Sequence, residues 1–158
     1  AYSEKNPDSA YYFAEKGFHN VLIKYLSPFA VETRGIMGIR VAVLQIVRDV
    51  CKGRRDLIKR VIESKGFEMV FDILDTDDLS AICEVLQSID ELSIDNDKPD
   101  KRLEFVMEEL DQLDIFSKLQ EIINRIHNLD GNIDLEQKDA VEKYAIFVYN
   151  VCSDYVYN

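Results

Sequence analysis

Tryptophan is absent from this chain, and basic residues, glycine, proline and cysteine are all scarce. Nineteen Lys and Arg face thirty Asp and Glu, a formal charge of −11. That balance excludes a general nucleic-acid binder, because phosphate contacts need a positive face. The six glycines are scattered, so no glycine-rich phosphate cradle exists. Gly35-Ile36-Met37-Gly38 precedes a helical pattern but lacks the strand that a dinucleotide fingerprint requires. Three cysteines, Cys51, Cys83 and Cys152, sit far apart in apolar stretches. An odd, dispersed set reads as core thiols in a reducing compartment rather than as a disulfide framework. No apolar run approaches the ~20 residues of a membrane span. The N-terminus, Ala1-Tyr2-Ser3-Glu4-Lys5, shows no signal-peptide pattern and no initiating Met, which reads as a piece cut from a longer chain. His19 and His127 have no metal-ligand neighbours at helical spacing, and no serine stands in a nucleophile motif. The reading is therefore a non-enzymatic, cytoplasmic protein without cofactor or metal.

Period-2 alternation is almost missing, and helical spacing runs nearly throughout. With 47% apolar and 31% charged residues, a packed core under a solvated surface is feasible. Asp8-Ser9-Ala10 opens a short helix stopping at Gly17, and a second runs from Phe18 to Leu26, where Ser27-Pro28 ends it. A third starts near Arg34, carries Ile39, Val43, Ile46, Val47 and Val50 on one face, and stops near Gly53. The pattern restarts over 56–64, 67–74 and 77–92, and again over 102–113, 115–126 and 135–155. All-α is the expected class.

The chain also resembles itself. Glu15-Lys16-Gly17-Phe18 returns 49 residues later as Ser64-Lys65-Gly66-Phe67, and a further shift of 49 meets Phe116. Val21, Val70 and Leu119 keep this register, as do Tyr25, Leu74 and Ile123. Gly17 and Gly66, between the first two helices of their blocks, supply turns that tolerate φ > 0. The period lies near the ~40–47 residues of armadillo and HEAT repeats, with connections at 27–37, 93–101 and 127–134 absorbing the excess. One domain over 1–158 follows: an armadillo/HEAT-like right-handed superhelix of about three three-helix repeats, at 8–53, 54–94 and 100–156.

Such stacks line up their third helices along a concave surface. There Gln45 and Asp49 lie four apart, Gln87 and Glu91 lie four apart 42 residues on, and Asn150 before Val151-Cys152 matches Asp49 before Val50-Cys51. With Ser88, these residues form the expected partner-binding groove, with Val47, Cys83 and Ile89 as apolar anchors. Without tryptophan, the array by which nuclear-import receptors read their signals is excluded. Nine acidic residues and no Lys or Arg occupy 72–97, an expected negative field that a basic partner would relieve. Arg54 and Arg55, with Lys59, form the clearest positive patch, suited to an acidic loop of a GTPase or an anionic lipid. Tyr155 and Tyr157 lie beyond the groove, where a further C-terminal region, such as a dimerisation segment, would cover them.

Several segments are similar to formins. Val43 to Gly53 resembles their leucine-rich helix closing in Val-Cys and a short loop, and Gly66 to Phe71 resembles the aromatic-Glu start of the next short helix. Leu86 to Leu92 looks like the groove helix. Arg102 to Leu110, followed by Leu113-Asp114-Ile115 and Leu119 to Ile122, looks like the end of the regulatory armadillo region of diaphanous-type formins. Asp114 replaces the glycine usual there. The resemblance implies an inhibitory domain that binds a basic amphipathic autoregulatory segment of the same protein until a Rho-family GTPase displaces it from the domain. Two alternatives compete: a co-chaperone exchanging nucleotide on a heat-shock chaperone, suggested by Asp8 to Phe13 and Gly17-Phe18, and a structural solenoid spacer.

Overall fold

The computed structural model describes residues 34–129, 131 and 133–157, which form seven helices. They are α1 (Arg34–Cys51), α2 (Arg55–Glu63), α3 (Gly66–Ile73), α4 (Leu79–Ser93), α5 (Glu104–Gln112), α6 (Ile115–His127) and α7 (Leu135–Tyr157). Among the described residues there is no strand beyond one antiparallel bridge, Ile94 to Arg102. The expected helices at 8–17 and 18–26, with Gly17, Phe18, His19, Val21 and Tyr25, lie outside the described residues, as does the side chain of Ile39.

The long helices α1, α4 and α7 lie side by side with α4 in the middle, packed against both neighbours. The short pairs α2–α3 and α5–α6 pack within themselves and against the long helices. Phe67, Val70, Leu74 and Leu119 are all buried, and Phe116 and Ile123 pack on the same core. Ile46 departs from its expected face and is exposed. At 100° per residue it falls well to one side of Val43, Val47 and Val50. Gly35 and Gly38 lie inside α1 rather than before it.

The turn between the short helices differs from the glycine expectation. Lys65, with φ 62°, takes the left-handed conformation, and Gly66 is the first residue of α3. Asp114, 49 residues on, takes φ 57° at the start of α6. Gly66 serves close packing instead: a Cβ there would lie 2.5 Å from Val61 Cγ1 and 2.9 Å from its carbonyl oxygen. Two cations of α6 then fasten the segment after α3. Arg125 Nη2 donates to the carbonyls of Leu74 (2.5 Å) and Thr76 (3.2 Å), and Lys118 Nζ meets Asp75 at 2.7 Å. The polar stretch after α4 is likewise tied down. Asp95 is buried, accepts from its own loop at Asp97 N (3.0 Å) and pairs with Arg55 (3.3 Å).

Candidate functional site

The open face of the α1–α4–α7 row is built outward from α4. Its buried side carries Ile82, Val85, Leu86 and Ile89, so the opposite side presents Cys83, Gln87 and Glu91. Gln87 Nε2 donates to Glu91 Oε1 at 3.4 Å. On α1, Gln45 is exposed and Asp49 half-buried. These four residues are therefore brought to neighbouring helices. Ser88 is not on that open face, being 1% exposed. Its hydroxyl donates to the Glu84 carbonyl (2.8 Å) and accepts from Arg48 Nη1 (3.4 Å), so it supports the guanidinium from beneath. Asn150 is exposed on the side of α7 opposite its buried residues, away from the flank on which Tyr144 meets α4. Of the expected anchors, Val47 and Ile89 are buried in the core and only Cys83 reaches the surface.

Arg48 joins α1 to α4, a role the spacing did not suggest. Its Nη1 is bonded to Glu84, and its Nε lies 3.2 Å from Glu91 and 3.5 Å from Asp49. Burial opposes its charge, but the three carboxylates more than offset this and hold its pKa above the ordinary arginine value. On the other side of α4, Asp90 receives Arg102 Nη1 at 2.5 Å and the Tyr144 hydroxyl at 3.4 Å. Arg102 also donates to Ser93 Oγ (2.9 Å) and to the Asp90 carbonyl (3.0 Å). Burial, then the charges of Asp90 and Glu91, push the Tyr144 phenol up to about 12. Tyr144 and Phe147 meet edge to face at 6.0 Å, giving the α7 border of the face an aromatic character.

The acidic block at 72–97 is not the uncompensated field its sequence suggests. Six of its nine carboxylates, those of Asp75, Asp77, Glu84, Asp90, Glu91 and Asp95, pair with cations of this chain. Asp78 instead caps α4, accepting from Ala81 N at 3.2 Å. The partners lie far away in sequence, which is why a local count of charge misjudges the field.

The basic patch is engaged in the same way. Arg55 meets Asp95, and Lys59 Nζ stands 5.1 Å from the Phe105 ring centroid. Arg54 and Arg55 line one wall of a cleft of about 430 Å³ whose other wall is Ile94 to Asp97. The three thiols are free. Burial raises all of them, Cys51 to about 12 and Cys152 to about 11, so they stay protonated at neutral pH. Among the described residues, no group of three His, Cys, Asp or Glu side chains could hold a metal ion, and no helix is long and apolar enough to cross a membrane. Comparison with family models, with curated proteins and with solved structures gives no match for this chain.

Proposed function

We propose that the chain is a regulatory protein-interaction module of the armadillo type, a superhelix whose α1–α4–α7 face binds an amphipathic helical segment. The role that fits its sequence resemblance is that of the inhibitory domain of a formin-like actin-assembly factor. In that role the segment belongs to the same protein, and a Rho-family GTPase relieves the contact. The carrying observation is the row itself: a central helix flanked by two long helices, with Gln87, Glu91 and Cys83 on its open side and Gln45, Asp49 and Tyr144 beside it. Charged residues on such a face set orientation and association rate, and apolar contacts supply the affinity. Because Glu91 already pairs with Arg48 and, at 3.9 Å, with Lys52, a basic partner residue must compete with cations of the chain for it. The GTPase contact falls to Arg54, Arg55 and Lys59, beside the cleft.

The test is a fluorescence-anisotropy titration with the labelled C-terminal segment encoded by the same gene. Binding tighter than ~100 μM, about −5.5 kcal/mol, is expected, weakened by Gln87→Leu and slowed in association by Glu91→Lys. Absence of binding at that concentration defeats the proposal.

A further inference from the structure

Five of the six exposed large apolar residues among the described residues lie on α7: Leu135, Ile146, Phe147, Val156 and Tyr157. This helix is already fully used on one side, where Val141, Ala145, Val148 and Cys152 are buried. One flank meets α4 through Tyr144 and the other meets α6 through Tyr149, whose ring is 5.1 Å from that of Phe116. What remains is an outward face bearing Lys143, Ile146, Asn150, Asp154 and Tyr157, edged by Phe147. Ile146 is 50% and Tyr157 80% exposed. A helix apolar on more than one face normally buries both.

We infer that this face of α7 pairs with the same face of a second copy, the two helices running antiparallel about a two-fold axis. The pattern of charge selects that occupant. The face has its cation, Lys143, toward its N-terminal end and a carboxylate, Asp154, toward its C-terminal end, with Ile146, Phe147 and Asn150 between them. A two-fold axis through the middle of that span sets each Lys143 against the partner copy's Asp154. The same axis brings Phe147 of each copy against Asn150 of the other, with Ile146 beside them at the centre. Isologous pairing of this kind is self-complementary and closed, so it stops at a dimer. The only described tie on Lys143 is to Asp139 one turn away, at 2.9 Å, an exposed pair of small worth that leaves the ammonium free to bridge. Contact through one helix of 23 residues falls in the small interface class below ~1,200 Å². The chain's net charge of −11 opposes approach. Together these set the dissociation constant in the micromolar range.

Sedimentation of the whole 158-residue chain over about 1–200 μM, at 0.15 M salt to screen the long-range repulsion, should show twice the 18.3 kDa monomer mass at the upper end. Lys143→Glu and Asp154→Lys, each placing like charges across the axis, should each raise the dissociation constant about 10-fold or more, and the two together should restore it to within about 3-fold of the parent. Both positions are solvent-exposed, so circular dichroism should show every variant as helical as the parent. Glu121→Lys, an exposed charge on α6, should leave the association unchanged. A monomer throughout the range overturns the inference. Association that the single reversals leave intact, or that the double reversal does not restore, also overturns it.

Discussion

The two sides of α4 are joined to their neighbours by opposite arrangements of charge. Toward α1, one guanidinium, Arg48, answers three carboxylates, Asp49, Glu84 and Glu91. Toward α5 and α7, one carboxylate, Asp90, takes both a guanidinium and a phenol. The first junction rests chiefly on one cation, since Lys52 adds only a 3.9 Å contact to Glu91, and removing Arg48 leaves several half-buried anions facing each other. The second depends on an anion whose donors can partly turn to neighbouring acceptors, since Arg102 also reaches Ser93 Oγ and the Asp90 carbonyl. A many-to-one junction should therefore be the more fragile of the two.

The largest expected effect is at Arg48. Arg48→Met should destabilise by about 3 kcal/mol in urea unfolding, because uncompensated buried charge is costly. Adding Glu84→Gln and Glu91→Gln to it should recover most of that loss, since the penalty lies in the abandoned carboxylates rather than in missing attraction. If the triple variant is as unstable as the single, packing of the Arg48 stem dominates instead. Asp90→Asn keeps the volume and an acceptor, so about 1–2 kcal/mol is expected at the second junction. A loss equal to that of Arg48→Met would erase the difference between the junctions.

The smallest effect is visible only in alkali. Tyr144 titrates at about 12 in the folded chain, above the ordinary value of 10.0. A raised folded pKa means that its contribution is complete below pH 10 and is lost as pH climbs through 12. Tyr144→Phe should therefore flatten the alkaline fall of stability between pH 10 and 12, measured by thermal unfolding, without changing its slope near neutrality. Thiol titration at Cys51 and Cys152 spans neighbouring pH values and remains in both proteins. An unchanged profile in the variant would place the Tyr144 hydroxyl in water rather than against Asp90.

Much of the architecture was legible in the residues, because helices announce themselves by period and punctuation. The expected segments at 67–74, 115–126 and 135–155 correspond to Gly66–Ile73, Ile115–His127 and Leu135–Tyr157. The 49-residue register reappears in the backbone, where Lys65 and Asp114 make the same left-handed corner. What was illegible depends on contacts between distant helices. Nothing local in Leu79–Ser93 tells that Glu84 faces an arginine 36 residues earlier. Ser88 and Gln87 are adjacent, yet 100° of helical rotation buries one and leaves the other at the surface. At Gly66 the sequence suggests backbone freedom, but the absence of a Cβ matters there for contact with Val61.

The Arg125 clamp has a consequence for the order of events during synthesis. It closes on the Leu74 and Thr76 carbonyls, 51 and 49 residues upstream. At ribosomal rates of ~5–20 residues per second, roughly 3 to 10 seconds pass before the chain that supplies the guanidinium has been made. Throughout that interval these two carbonyls can be satisfied only by water or by other residues. The segment from α2 through α4 thus emerges with its corner unfastened, and α6 acts on it as a latch that arrives late.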